Sequence, residues 1–234
     1  MSCSGFLQRV ETFTGLLPVI LSISGTTSDE YLEAVRLIAD NPHISALELN
    51  LSCPNIGSGL PFSSDARVLR ETLAPLRELT RLPMIAKLSP MVSDICSTAK
   101  TAELCGMDAL TLCNTFPAMV IDTEKCRPAL GNVVGGMSGP AVKPLVMRIV
   151  YQVYQEVSIP ILASGGIESR ADAIEYFLAG ASAVQVGCAN FVKPNFLFSL
   201  PEEIDEYLHA RNIESVNSLT GMAHRTANTM RTNG

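Results

Sequence analysis

The sequence predicts a parallel α/β fold of the (β/α)8 TIM-barrel kind, on three observations. Short apolar runs alternate with amphipathic stretches in strict βαβα order. Most of those runs are nearly solid in Val, Ile, Leu, Met and Ala, as expected of parallel strands covered on both faces. Polar and reactive residues gather where the runs end, which is how barrels carry their sites. A doubly wound dinucleotide sheet would instead concentrate its signal in one G-x-G-x-x-G turn, and this chain has none.

Each element follows from its own residues. Pro18–Ser24 reads as the first strand, and the helix Ser28–Asp40 follows with Ser28 as N-cap and Tyr31, Val35 and Ile38 at helical spacing. In the strand Ile44–Leu51, Leu47, Leu49 and Leu51 alternate with Glu48, Asn50 and Ser52, and Pro54 forbids further pairing. Asn50, Ser52, Cys53 and Asn55 are thereby delivered at one strand mouth, an arrangement suited to hydrogen-bonding a flat ligand and moving a proton. The helix Asp65–Leu79 leads to the strand Pro83–Leu88, which ends on Lys87. Val92–Leu104 reads as a helix capped by Asp94, and Asp108–Cys113 as a strand ending in Asn114-Thr115. G-G-M-S-G-P at 135–140 precedes the helix Ala141–Glu156, where glycines and a helix N-terminus favour an anion. The strand Ile159–Ala163 meets Gly165-Gly166, the helix Arg170–Leu178 follows, and the strand Ala183–Gly187 meets Cys188. The run Glu202-Glu203-Asp205-Glu206 reads as the solvated start of one more helix. His43, His209 and His224 read as surface residues. Six strands are found where a closed barrel needs eight.

Composition narrows the function classes. Residues 1–234 show no low-complexity tract or composition break, which points to a single barrel domain. A net charge of −6 argues against nucleic acid or an anionic membrane as partner. Seven scattered cysteines without a C-x-x-C pair fit reduced thiols in the cytoplasm and predict no metal site. The sequence holds no apolar run long enough to span a bilayer and no signal-peptide pattern at its start.

Lys87 at a strand end could be a Schiff-base nucleophile, a phosphate contact or a cation beside developing negative charge. Glycine pairs after the last two strands favour a phosphorylated cofactor. A lysine and amides across the pocket suggest flavin mononucleotide. At this point the motifs E-L-N-L-S-C-P-N, A-K-L-S-P-M-V-S-D-I, C-N-T-F, G-G-M-S-G-P-A-V-K-P, S-G-G-I and A-G-A-S-A-V-Q-V-G-C-A-N-F together resemble the class 1 dihydroorotate dehydrogenase catalytic subunit, in its class 1B form. The resemblance implies FMN-dependent oxidation of dihydroorotate to orotate in pyrimidine (UMP) biosynthesis. It implies a homodimer working with a partner subunit that carries FAD and a 2Fe-2S cluster and passes electrons to NAD. Cys53 matches the family's base, which takes the proton from C5 while C6 gives hydride to the flavin. Asn50, Asn55, Asn114 and Thr115 match pyrimidine contacts, Asn50 being shared with FMN. Lys87 matches the lysine at the flavin's pyrimidine edge. Ser22, Cys113, Gly139, Gly165, Gly166, Gly187 and Cys188 match the remaining FMN contacts.

The sequence also departs from the family. It starts near the family's third strand, so the expectation is strands 3–8 of the barrel with the first two βα units missing, and an exposed strand edge. Ser22 replaces a usual asparagine, Cys188 a threonine, and Val120 stands where an arginine is common. Two alternatives follow: an inactive truncated paralogue unable to hold FMN alone, and a Schiff-base or phosphate-binding lyase using Lys87.

Overall fold

The structure is a computed structural model describing residues 17–39, 41–52 and 62–225. It divides into two compact units. The first unit runs to Thr111 and includes Glu156–Pro160; the second comprises Leu112–Gln155 and the chain from Ile161 onward.

The first unit is built from βα repeats. Its strands β1 (Ile20–Ile23), β2 (Ala46–Asn50), β3 (Met84–Lys87) and β4 (Ala109–Leu112, whose last residue opens the second unit) run in parallel, each beside the next. The helices α1 (Ser28–Ile38), α2 (Ala66–Arg77) and α3 (Ile95–Leu104) follow the first three strands. All three helices begin at a side-chain cap. Asp65 accepts from the amides of Arg67 and Val68, and Asp94, the cap expected from the sequence, accepts from that of Ser97. The cap of α1 is Thr27 rather than Ser28: its hydroxyl accepts from the Glu30 amide, while Ser28 turns inward to share a hydrogen bond with Thr72.

The core of this unit is aliphatic. Leu47, Leu49 and Leu51 from β2 and its end are fully buried with Leu69, Leu73 and Leu76 of α2 and Met84 of β3. Tyr31 packs edge-on against Phe62 with ring centroids 5.4 Å apart, and its hydroxyl donates to the Asn50 carbonyl at 2.5 Å. An apolar helix face is thus tied to the end of β2.

The second unit carries two small antiparallel ribbons that periodicity does not announce. The strand β5 (Phe116–Ala118) pairs with β8 (Gly135–Met137), and β6 (Ile121–Asp122) with β7 (Arg127–Pro128). A 3-10 turn at Pro140–Val142 then leads into α4 (Lys143–Tyr154). Next come β9 (Ile161–Ser164), α5 (Arg170–Ala179) capped by Ser169, and β10 (Ala183–Gln185), which runs parallel to β9. The chain continues through α6 (Ala189–Val192), α7 (Phe196–His209) and α8 (Val216–Leu219).

Two further expectations are corrected here. The acidic run from Glu202 lies in the body of α7, whose first turn is the apolar Phe196–Ser199. His224 is not a surface residue: it is buried, stacked on Tyr151 at 3.8 Å and bound through Nε2 to the Ala179 carbonyl at 2.9 Å. The Tyr151/Tyr154 pair on one face of α4 makes an aromatic slot, and Gln155 closes it on Nδ1 at 3.1 Å.

Candidate active site

In the first unit the expected side chains stand at the C-terminal ends of neighbouring strands. Parallel register sets Asn50 opposite Lys87, and Lys87 opposite Thr111. This alignment puts a carboxamide and an ammonium side by side at one sheet end. Asn50 Oδ1 accepts from the Ser52 hydroxyl at 2.6 Å, which orients the amide. Cys53 and Asn55, immediately beyond, lie outside the described residues.

Beneath these residues is a group that the sequence reading passed over. Glu48 is 4% exposed, in a strand otherwise made of leucine and alanine up to Asn50. Its Oε1 accepts from the Ser22 hydroxyl at 3.0 Å and lies 3.4 Å from Lys87 Nζ; its Oε2 accepts from Thr111 Oγ1 at 2.7 Å. A buried carboxylate needs such partners. The signal was available: the alternation that points Asn50 and Ser52 to one face of β2 points Glu48 there too. Ser22, expected beside a cofactor, is exposed and spends its hydroxyl on Glu48.

The second unit holds the other expected residues. Cys113 is buried and its amide donates to the Ser164 carbonyl at 3.4 Å. Asn114 folds its carboxamide oxygen back onto the Thr115 amide at 2.7 Å. Thr115 packs so tightly on Gly136 that a Cβ there would fall 2.1 Å from its hydroxyl, which makes glycine obligatory at that point of β8.

The glycine cradle is closely built. Gly166, at φ +68°, brings its backbone against the Gly139 carbonyl and the Lys143 amide; a Cβ would meet them at 2.8 and 3.0 Å. A Cβ on Gly139 or Gly187 would meet nothing within 4 Å, so open space lies beside both. The Tyr176 hydroxyl donates to the Gly165 carbonyl at 2.7 Å, and burial pushes this hydroxyl far above its ordinary titration range, so it stays a donor. Asp172 holds the following turn through the Glu168 amide (3.0 Å) and the Ser169 hydroxyl (2.8 Å), and it pairs with Lys143 Nζ at 2.6 Å. Burial raises the Asp172 carboxyl, but Lys143, Ser169 and the Glu168 amide outweigh it and leave the group below its usual range. Cys188 opens α6, and behind it the buried Oδ1 of Asn190 has no hydrogen-bond partner among the described residues.

These features suit a phosphorylated, hydroxyl-bearing cofactor. Open space beside Gly139 and Gly187 admits a ligand against bare backbone, and Asn190 Oδ1 awaits a donor such as a hydroxyl. Among the described residues no cluster of His, Cys, Asp and Glu could hold a metal, and no helix is long and apolar enough to cross a membrane.

The profile of a family described as dihydroorotate dehydrogenase matches residues 5–208. A relative from Desulforudis audaxviator, named dihydroorotate dehydrogenase B (NAD(+)), catalytic subunit, is 48% identical over 94% of this chain and 71% of its own length. The protein of the same name from Carboxydothermus hydrogenoformans is 45% identical over 95% of this chain and 72% of its own. Among solved structures, DHODH from Eimeria tenella in complex with ferulenol superposes with a TM-score of 0.70 at 25% identity, covering 85% of this chain and 58% of that one. The chain therefore spans about seven-tenths of the curated relatives and under two-thirds of that solved structure. That likeness and the parallel βα units place the fold in the α/β TIM-barrel class.

Proposed function

Since the chain belongs to the dihydroorotate dehydrogenase family, we propose that it oxidises dihydroorotate to orotate in pyrimidine biosynthesis, with FMN as its cofactor. The observation that carries the reading is the placement of Asn50 and Lys87 in register at adjacent strand ends, with the family's cysteine motif directly following. Bound FMN supplies the hydride acceptor, which no protein side chain can provide.

The protein's own groups do the rest. Cys53 removes the proton from C5; a thiol serves well because its ordinary pKa of about 8.5 lies within reach of neutrality. Asn50, Asn55, Asn114 and Thr115 hold the pyrimidine by its amide edges. Lys87 supports negative charge at the pyrimidine edge of the flavin. Gly139, Gly165, Gly166, Gly187 and Cys188 offer backbone to the phosphate and its chain, with Ser22 and Cys113 on the cofactor's borders. The relatives' name supports a separate electron-transfer subunit that passes electrons to NAD, which we infer to carry FAD and a 2Fe-2S cluster, the catalytic chain itself being a cytoplasmic homodimer.

The test is anaerobic mixing of the FMN-loaded protein with dihydroorotate, following the flavin absorbance. Bleaching is expected, and Cys53→Ala should slow it by at least ~10²-fold without changing FMN content. A protein that takes up FMN yet is never bleached by dihydroorotate has another substrate.

A further inference from the structure

We propose that Glu48 is a positioning residue for Lys87: its buried carboxylate holds the lysine ammonium at one place on the wall of the site. The inference rests on the flavin reading for what Lys87 does, but the hold itself is visible without it. Glu48 lies on β2, next to β3, where Lys87 projects, and Thr111 comes from the far side on β4. Ser22 reaches it from β1, whose register sets the two residues opposite each other.

The carboxylate is therefore fixed at both oxygens. The Ser22 hydroxyl and the Lys87 ammonium share Oε1, and Thr111 takes Oε2. Rotating the carboxylate to release Lys87 would break both hydroxyl contacts. The Lys87 side chain is largely covered, with an exposure of 21%, and its ammonium lies 3.4 Å from the Glu48 carboxylate.

Stability alone does not call for this arrangement. Glu48 is itself buried and lies in register with the buried Ile85 of β3, so an apolar residue of similar size at position 48 would pack beside it. Replacing buried ion pairs by well-packed apolar groups is often neutral or favourable. What an apolar residue could not do is fix a neighbouring ammonium. It also could not balance its charge, leaving the wall near neutral until negative charge develops beside it.

The test uses the full chain carrying Glu48→Gln, which keeps the shape and removes the charge. Lys87 acetylation, quantified by peptide mass spectrometry, should accelerate several-fold in the variant. Lys143, held by its own carboxylates, is the internal control and should not change. In the FMN-loaded protein, Glu48→Gln should shift the flavin midpoint potential, and should add nothing once Lys87 is already Met. Thr111→Val, which keeps the ion pair but frees Oε2, should show a smaller rise in Lys87 acetylation and covers the case in which Glu48→Gln does not fold. Unchanged Lys87 labelling in both variants overturns the proposal. So does an equal shift of potential with and without Lys87, which would mean that Glu48 acts by its own charge. If the wild-type chain takes up no flavin while Glu48→Gln still accelerates Lys87 labelling, the flavin reading falls and Glu48 stands as the holder of Lys87.

Discussion

Asp172 shows how much one side chain can organise. It joins the Glu168 amide, the Ser169 hydroxyl and the Lys143 ammonium, so the turn after β9 and the start of α4 share one anchor. Its carboxyl is held below the ordinary range, so the stability it contributes is present above about pH 3.9 and disappears as pH falls through the folded-state value. Glu103 behaves alike, lowered first by the Lys100 ammonium and also by the Ser158 amide. Lys143 is raised, chiefly by Asp172, so its contribution is complete below about pH 10.4 and is lost only above that. Thermal melting across pH should therefore show a steep acid limb below pH ~4, which Asp172→Asn flattens. At neutral pH the same variant should lose about 1.5–3 kcal/mol, the scale of hydrogen bonds to a charged group, read from urea unfolding. This anchor was not legible in the sequence, because Asp172 follows Ser169 at a spacing that reads as ordinary capping. Its partner Lys143 is twenty-nine positions upstream. Glu48 escaped for a related reason: alternation marked the face it points to, but not the lysine and threonine that two other strands bring to it.

At the scale of the element, the turn between β9 and α5 works as a small frame. Tyr176, fully buried on α5, props it from within by its hydroxyl on Gly165. Tyr176→Phe leaves that carbonyl without its donor and should cost about 1–3 kcal/mol. FMN retention after gel filtration should fall with it, because the frame presents the glycine backbone. Gly166→Ala should be worse. Its φ of +68° is strained for alanine, and the new Cβ would press on the Gly139 carbonyl and the Lys143 amide. Loss of bound flavin with the melting temperature lowered by no more than a few degrees would locate the damage in the cradle rather than the core. The strands and helices themselves were legible, since solid aliphatic runs and capping aspartates are local signals. The ribbons β5–β8 were not: strands of two or three residues carry no measurable period, and Pro117, Pro128, Gly135 and Gly136 read as loop.

For the molecule as a whole, the strand mouths were the readable part. A polar or glycine residue following each apolar run marks a barrel face whatever the chemistry there. What holds those residues was hidden, because their partners are distant in sequence. His224 is the clearest case. A histidine in a polar C-terminal stretch looks solvated until Tyr151, Tyr154 and the Ala179 carbonyl enclose it. His224→Ala should cost roughly 2–4 kcal/mol, combining a vacated aromatic slot with an unpaired carbonyl, and a denaturant midpoint measures it.

The five residues Glu156–Pro160 belong to the first unit, although α4 before them and β9 after them belong to the second. They are stitched in by the Ser158 amide on the Glu103 carboxylate at 2.7 Å and by the Leu110 amide on the Pro160 carbonyl at 2.9 Å. Neither unit is therefore one uninterrupted stretch of the gene. A single recombination event near position 112 cannot trade one unit cleanly between relatives, because the donor half brings a foreign insert for the recipient's α3–β4 region. Chimaeras should be tolerated when the incoming segment keeps an amide free to meet Glu103, and should misfold when a proline arrives at position 158. In inheritance the first unit travels whole only with its own residues 156–160.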